Sequence, residues 1–327
     1  MRILSGIQPS GGMHIGNYLG AVKYWEQLQN QHSAFFCVVD LHALTTMGDA
    51  KELKKAITEK VIELLAVGIN PEKATLFIQS HVKEHTELAW ILNTITPISE
   101  LERMTQFKDK AKKQKQNINA GLFTYPTLMA ADILLYQTDA VPVGKDQAQH
   151  LELTRSIAKK FNSKFGKTFK EPETIIPKIG ARIMSLTDPK KKMSKSDKED
   201  SYIGLFDEPA VLKKKIAKAV TDTGREIRYD VTKKPGVSNL LSIYSLFSEE
   251  PIKELEVQFK GKGYGSLKQA TTKLLVDRLE PFRKQKKALT SRDLYIEEIL
   301  KKGGKHASSI AEDTMEDVRK KIGLVTF

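Results

Sequence analysis

The feature that most constrains this chain is an alternation that runs through its first part and then stops. Ile3-Leu4-Ser5-Gly6, Ala34 to Asp40, Thr75 to Gln79, Ala140 to Gly144 and Ala181 to Leu186 are short apolar or β-branched runs edged by turn or polar residues. Each reads as a strand buried on both faces. Between them lie stretches of helical period: from Lys51 to Val67, Leu53, Ile57, Val61, Leu64 and Leu65 recur at three- and four-residue steps. Strand, helix, strand in repetition predicts an α/β fold with a doubly wound parallel sheet.

From about Glu208 the strand-like runs cease, and helices are expected near 209–219, 239–247, 251–259, 267–302 and 305–322. The C-terminal part is therefore expected to be all-helical. The segment 187–203, TDPKKKMSKSDKEDSYI, is highly charged and nearly free of apolar residues, which predicts an exposed, mobile loop.

Charge follows the same division. The chain has 53 basic and 40 acidic side chains, a net +13, yet residues 1–110 hold 11 basic and 12 acidic while the rest hold 42 and 28. A positive field of this kind favours a polyanionic partner, nucleic acid above all, although excess lysine is also a solubility device. One cysteine, Cys37, allows no internal disulfide and no multi-cysteine zinc site. No apolar run approaches the roughly 18 residues of a membrane span, and the N-terminus lacks a signal-peptide core, so a cytoplasmic protein is expected.

Two segments carry the chemistry. Gly6-Ile7-Gln8-Pro9-Ser10-Gly11-Gly12-Met13-His14-Ile15-Gly16-Asn17 follows the first strand and opens a helix. In open α/β sheets ligands bind at the carboxyl ends of strands, where a helix N-terminus offers free N–H groups to an anion and glycines admit a phosphate or base. The plainer reading is a tight strand-to-helix turn with a surface histidine. Far downstream stands Lys192-Met193-Ser194-Lys195-Ser196. Two lysines three apart on a loop can close on a triphosphate and neutralise a leaving pyrophosphate, or they can simply belong to a solvated basic linker.

A third segment, TYPTLMAADILLYQ at 124–137, is apolar except for Asp132, with Tyr125, Met129, Asp132 and Tyr136 on one helical face. A carboxylate there is costly unless satisfied. Ionised, it accepts only, which suits a donor-only ligand group such as an indole N–H; an internal Arg or Lys partner is the alternative.

His14-Ile15-Gly16-Asn17 after the first strand, followed in order by an intact KMSKS, resembles the paired signature of class I aminoacyl-tRNA synthetases. The blocks GIQPSG at 6–11, VDLHA at 39–43, TLFIQS at 75–80, ELERMTQFK at 100–108, LMAADIL at 128–134, VPVG at 141–144 and GARIMSL at 180–186 are similar to the bacterial tryptophanyl-tRNA synthetase family. The resemblance implies a Rossmann-like catalytic domain over 1–190, with a helical insertion near 80–135 that contributes to a homodimer interface. It further implies that 191–327 holds the KMSKS loop and an anticodon-binding helical domain.

By the same resemblance Asp132 accepts the indole N–H of tryptophan, Met129, Val141 and Val143 line the ring pocket, Tyr125 and Gln147 hold the ammonium end, and His42 lies near. ATP is expected against Gln8, Pro9, Ser10, Gly16 and Asn17, with Gly144, Lys145, Asp146 and Ile183 around the ribose and adenine. The loop Lys192, Met193, Ser194, Lys195 and Ser196 closes on the phosphates, and Lys110 reaches toward them. The implied catalytic groups are His14, Lys110, Lys192 and Lys195. Magnesium is expected to come with ATP rather than in a protein cage, and the tryptophan tRNA is the expected polyanion. Lys213-Lys214-Lys215, Arg283 to Lys287 and Arg319-Lys320-Lys321 are candidates for its phosphates.

Three positions depart from the family pattern: Leu4 where an aromatic residue is usual, Leu41 where glutamine is common, and Lys145 where an acidic residue is common. The rival readings are a tyrosyl-tRNA synthetase, a small-molecule nucleotidylyltransferase, and a tRNA-binding paralogue without catalysis.

Overall fold

The computed structural model describes residues 1–46, 49–107, 118–144, 147–176, 183–195 and 197–325. Strands β1 (Arg2–Ile7), β2 (Ser33–Val38), β3 (Ala74–Ile78), β4 (Ala140–Pro142) and β5 (Glu173–Ile175) form one sheet in the order β3-β2-β1-β4-β5. Every pairing is parallel. The chain winds outward from β1 on one side and resumes at β4 on the other, so the gap beyond the carboxyl ends of β1 and β4 is the topological switch point where such sheets bind ligands.

Helices cover both faces. The stretch α1 (Ile15–Asn17) passes through one wider turn into α2 (Lys23–Leu28), and α3 (Asp40–Ala43) caps β2. Helix α4 (Ala50–Ala66) starts on Asp49, whose carboxylate accepts from the Lys51 and Glu52 amides at 2.7 and 3.0 Å. Next come α5 (Glu84–Asn93), α6 (Ile98–Glu102), α7 (Ala120–Leu135) and α8 (Ala148–Phe165). The C-terminal part is α9 (Pro209–Lys218), α10 (Pro235–Ser248), α11 (Ile252–Gln258), α12 (Tyr264–Thr290) and α13 (Asp293–Ile322). Two apolar cores result. One joins Trp25, Phe36 and Leu64 to Leu240 and Leu275 of the C-terminal helices; the other joins Leu4, Phe77, Leu88 and Tyr136 to Ala311 and Met315 of α13.

The sheet and the helical C-terminal part match the sequence reading, and three details correct it. The fifth strand is Glu173–Ile175 rather than 181–186; the described part of that run, Ile183 to Leu186, has Met184 in an isolated bridge with Lys192. The break between the last two helices falls at Ser291 and Arg292, not at Gly303-Gly304. That glycine pair sits inside α13 because the helix lies on β3: a Cβ at Gly303 would stand 2.0 Å from the Leu76 carbonyl oxygen. A helix so close covers the edge of the sheet. The charged segment 187–203 is not wholly exposed, since Met193, Ser201 and Ile203 are buried; its few apolar side chains anchor it.

Candidate active site

The turn after β1 presents Gln8, Pro9 and Ser10, then Gly11 at φ +58, Gly12, Met13 and His14. Gly11 needs that backbone freedom, and a Cβ there would come 3.1 Å from Lys195 Cδ. His14 caps the helix: its Nδ1 accepts from the Asn17 amide at 3.2 Å, while Asn17 Oδ1 accepts from the His14 amide at 3.3 Å. Gly16 makes room for the ring, because a Cβ there would touch it at 2.9 Å. Burial, then Lys195, Lys192 and Lys60, push the His14 imidazole down to about 4. It is therefore neutral at pH 7, with Nδ1 accepting and Nε2 left as an N–H donor.

The KMSKS segment folds back on this turn. Met193 donates its amide to the Ile183 carbonyl at 2.9 Å, and Asn239 of α10 brackets Met184 by accepting from its amide at 2.9 Å and donating to its carbonyl at 2.8 Å. Buried Met193 and Ile183 belong to the same core as Met13 and Ile15. Lys195 Nζ donates to the Gly11 carbonyl at 3.4 Å, whereas Lys192 is exposed and Ser194 half-buried. Burial and Lys60 push the Lys195 ammonium down to about 8, against the opposing charge of Glu63. His14, Gly16, Asn17, Ile183 and Lys195 are thus brought together, with the Lys195 ammonium against the turn that opens the helix.

The other half of the site centres on Asp132, 5% exposed on α7. Among the described residues it has neither Arg nor Lys for a partner. His42 Nε2 donates to Oδ2 at 2.8 Å, and Gln79 Nε2 and His85 Nδ1 donate to Oδ1 at 2.7 and 2.6 Å. Burial opposes ionisation, but the hydrogen bonds from His42 and His85 outweigh it and hold the carboxyl well below its usual range. Burial raises the Tyr136 phenol far above its ordinary value, and its hydroxyl lies 2.8 Å from His85 Nε2. With Tyr136 donating there, His85 Nδ1 carries the proton toward Asp132. Gln79 also accepts the Leu41 amide at 3.2 Å, and Asp40 accepts the Ser80 amide at 2.9 Å, so the ends of β2 and β3 are tied behind the carboxylate.

Leu4, Met129, Val141 and Val143 pack in the same apolar cluster as Tyr136, and the Tyr125 ring stands edge-on to His42 at 6.3 Å with its hydroxyl 3.0 Å from His150 Nε2. Gly144 is exposed at the end of β4 and accepts the Gln147 amide at 2.9 Å. The structure therefore sets one buried acceptor among apolar side chains, with the cationic turn on the neighbouring strand end. Gln79 and His85 were not among the expected site residues; Gln79 closes an apolar strand and His85 lies in the polar stretch Lys83 to Glu87, and spacing alone connects neither to Asp132. Lys110, Lys145, Asp146 and Ser196 lie outside the described residues. No group of three or more His, Cys, Asp or Glu placed to hold a metal occurs among the described residues.

Several basic candidates for a phosphate surface are otherwise engaged. Lys215 is buried on Asp207 at 2.8 Å, Arg283 is buried against Glu280 at 2.8 Å, and Arg319 binds Glu87 at 2.6 Å and Glu312 at 2.7 Å. Lys321 pairs with Asp317 at 2.7 Å. Lys213, Lys214, Lys284, Lys287 and Lys320 remain exposed.

Residues 1–280 match the family model described as tRNA synthetases class I (W and Y). Among curated relatives, tryptophan–tRNA ligases of Caldanaerobacter subterraneus and Wolinella succinogenes are 52% and 48% identical over 325 residues, covering 99% of this chain and 98% and 99% of theirs. Among solved structures, tryptophanyl-tRNA synthetase from Mycoplasma pneumoniae superposes with a TM-score of 0.89 at 40% identity, covering 99% of this chain and 98% of its own. The Campylobacter jejuni enzyme complexed with ADP and tryptophan superposes at 0.88 and 38% identity, covering 99% and 100%. With these likenesses along nearly its whole length, the chain belongs to the class I tRNA synthetases (W and Y), among the bacterial tryptophan–tRNA ligases.

Proposed function

We propose that this chain activates L-tryptophan with ATP and then charges the tryptophan tRNA, using Asp132 to select the amino acid and the turn at Gly11–His14 with Lys192 and Lys195 to place ATP. The observation that carries the reading is the buried, ionised Asp132 carboxylate set among apolar side chains. Its Oδ1 is held by Gln79 and His85, and Oδ2 has one donor among the described residues, His42, which leaves lone-pair capacity for an indole N–H. Met129, Val141 and Val143 line the ring; Tyr125 and Gln147 take the ammonium end.

In the first step an oxygen of the tryptophan carboxylate attacks the α-phosphorus, the bond to the bridging oxygen breaks, and pyrophosphate leaves. Such a transfer needs placement and charge neutralisation more than a covalent nucleophile. His14 supplies a neutral Nε2–H donor to the phosphates, and Lys195 and Lys192 meet the charge that accumulates on pyrophosphate. Gln8, Pro9, Ser10, Gly16 and Asn17 hold the nucleotide from one side, and Gly144 and Ile183 from the other. Lys145, Asp146, Lys110 and Ser196 complete the set by resemblance. ATP enters as its magnesium complex. In the second step a ribose hydroxyl of the terminal adenosine, 2′ first, attacks the acyl carbon and AMP leaves.

The exposed lysines of α9, α12 and α13 serve the tRNA, with the helical region from about 191 reading the anticodon stem. A homodimer formed through the insertion at 80–135 accounts for large apolar side chains left in water there, Trp90 at 72% and Ile98 at 66% exposure. The place of work is the cytoplasm, where tRNA is charged. The test is amino-acid-dependent exchange of labelled pyrophosphate into ATP: tryptophan alone supporting exchange is expected, and exchange with tyrosine in its place would move the reading to the sister enzyme.

A further inference from the structure

Helix α4 buries an ion pair that its amphipathic pattern does not call for. Lys60 and Glu63 are each 2% exposed, with Lys60 Nζ 2.5 Å from Glu63 Oε2. Removing two charges from water costs about as much as their attraction returns, so such a pair is poor evidence of stabilisation and asks for another reason. Their remaining contacts point to one. Glu63 accepts the Met13 amide at 3.2 and 3.3 Å, and Lys60 donates to the Gly11 carbonyl at 3.1 Å, the oxygen that Lys195 also reaches at 3.4 Å. From the C-terminal helices, Lys286 of α12 reaches Glu63 Oε1 at 3.2 Å while its ammonium lies 4.5 Å from the Phe206 ring centre.

We propose that Glu63, with Lys60 and Lys286, is a positioning cluster for ATP: it holds the Gly11–His14 turn and the Lys195 ammonium in register, and through Lys286 ties that register to the helical C-terminal region. The inference rests on the reading of the turn and Lys195 as ATP-binding. The chemistry is that of a single carboxylate fixing a donor turn among cations. Glu63 satisfies an amide that would otherwise face the core, and it offsets the repulsion among Lys60, Lys286 and Lys195. The groups facing Lys195 are His14 on the turn, Lys60 and Glu63 on α4, Lys286 beyond Glu63, and Lys192 on its own loop. Lys60 lowers and Glu63 raises the affinity of Lys195 for its proton.

The experiment is tryptophan-dependent pyrophosphate exchange by the full-length protein with MgATP from pH 6 to 9.5, alongside thermal melting. Glu63→Gln is expected to raise KM for ATP about tenfold, leave KM for tryptophan within about twofold, and move the alkaline limb to lower pH. Lys60→Met is expected to move the limb to higher pH. Lys286→Met is expected to raise KM for ATP by about threefold. A limb unmoved in both folded α4 variants, or equal rises in the two KM values, would overturn the cluster's role. Should Glu63→Gln melt below the assay temperature, Lys60→Met and Lys286→Met decide: an unmoved limb in the first and an unchanged KM for ATP in the second overturn it. Lys195→Met separates the two ideas, because normal exchange with an intact limb in that variant would discard the ATP reading itself.

Discussion

The two ends of the site are built from opposite materials. At the amino-acid end one carboxylate, Asp132, is held by donors from β3's end, α3 and α5. At the ATP end cations dominate, and one carboxylate, Glu63, holds the turn. In the proposed reading the first end is an acceptor among apolar side chains that reads a donor, and the second is a group of donors that receives charge. Both sit past the carboxyl ends of the central strands, so the sheet sets their separation and each end is free to specialise.

The largest effect expected from breaking this contrast is at Asp132. Asp132→Ala should lower kcat/KM for tryptophan by about 10³-fold or more, with KM for ATP changed far less, since it also leaves His42, Gln79 and His85 without an acceptor. Equal losses for the two substrates in exchange kinetics would remove the distinction between the ends. Next is Lys195→Met, expected to lower kcat about 10²-fold while tryptophan binding, followed by equilibrium fluorescence, holds.

The ends should also titrate differently. Lys195, lowered to about 8, carries its charge below that pH and loses it above, so KM for ATP should rise as pH passes 8. Asp132 stays ionised well below pH 5, so KM for tryptophan should stay flat over the same range. A parallel rise in both would merge the ends again. On the acid side His14, with its folded value near 4 against 6.5 unfolded, leaves the unfolded chain binding more protons between those values. Thermal stability should therefore fall as pH drops from 6.5 toward 4, and His14→Gln should reduce that slope in melting curves. The smallest of the effects is at His85: His85→Leu should raise KM for tryptophan about tenfold with ATP unaffected, and His85→Gln, which keeps a donor, should restore part of it.

The contrast was unequally legible in the sequence. The ATP end is local: Gly11, His14, Gly16 and Asn17 are neighbours, so a turn and a cap could be read from their order, and Lys195 belongs to a compact string. Asp132 stood out because a carboxylate interrupts an apolar helix face. Its partners did not, because Gln79 and His85 reach it from other elements and only the folded sheet brings them together. Lys60 and Glu63 fall between the apolar positions of the 51–67 period, and their buried contacts, with the turn at Gly11 and Met13 and with Lys286 of α12, come from segments distant in sequence. Gly303-Gly304 read as a helix end because close packing on β3 has no signature in local sequence.

The central claim is that Asp132 accepts the indole N–H, and an isostere tests it most directly. In pyrophosphate exchange, tryptophan is compared with the analogue whose indole N–H is replaced by sulfur, 3-(benzothiophen-3-yl)alanine, which keeps size and apolar character but cannot donate. The account predicts a kcat/KM at least about 10²-fold lower for the analogue with the unmodified chain, and near equality of the two in Asp132→Ala. Equal exchange of both by the unmodified chain would contradict it.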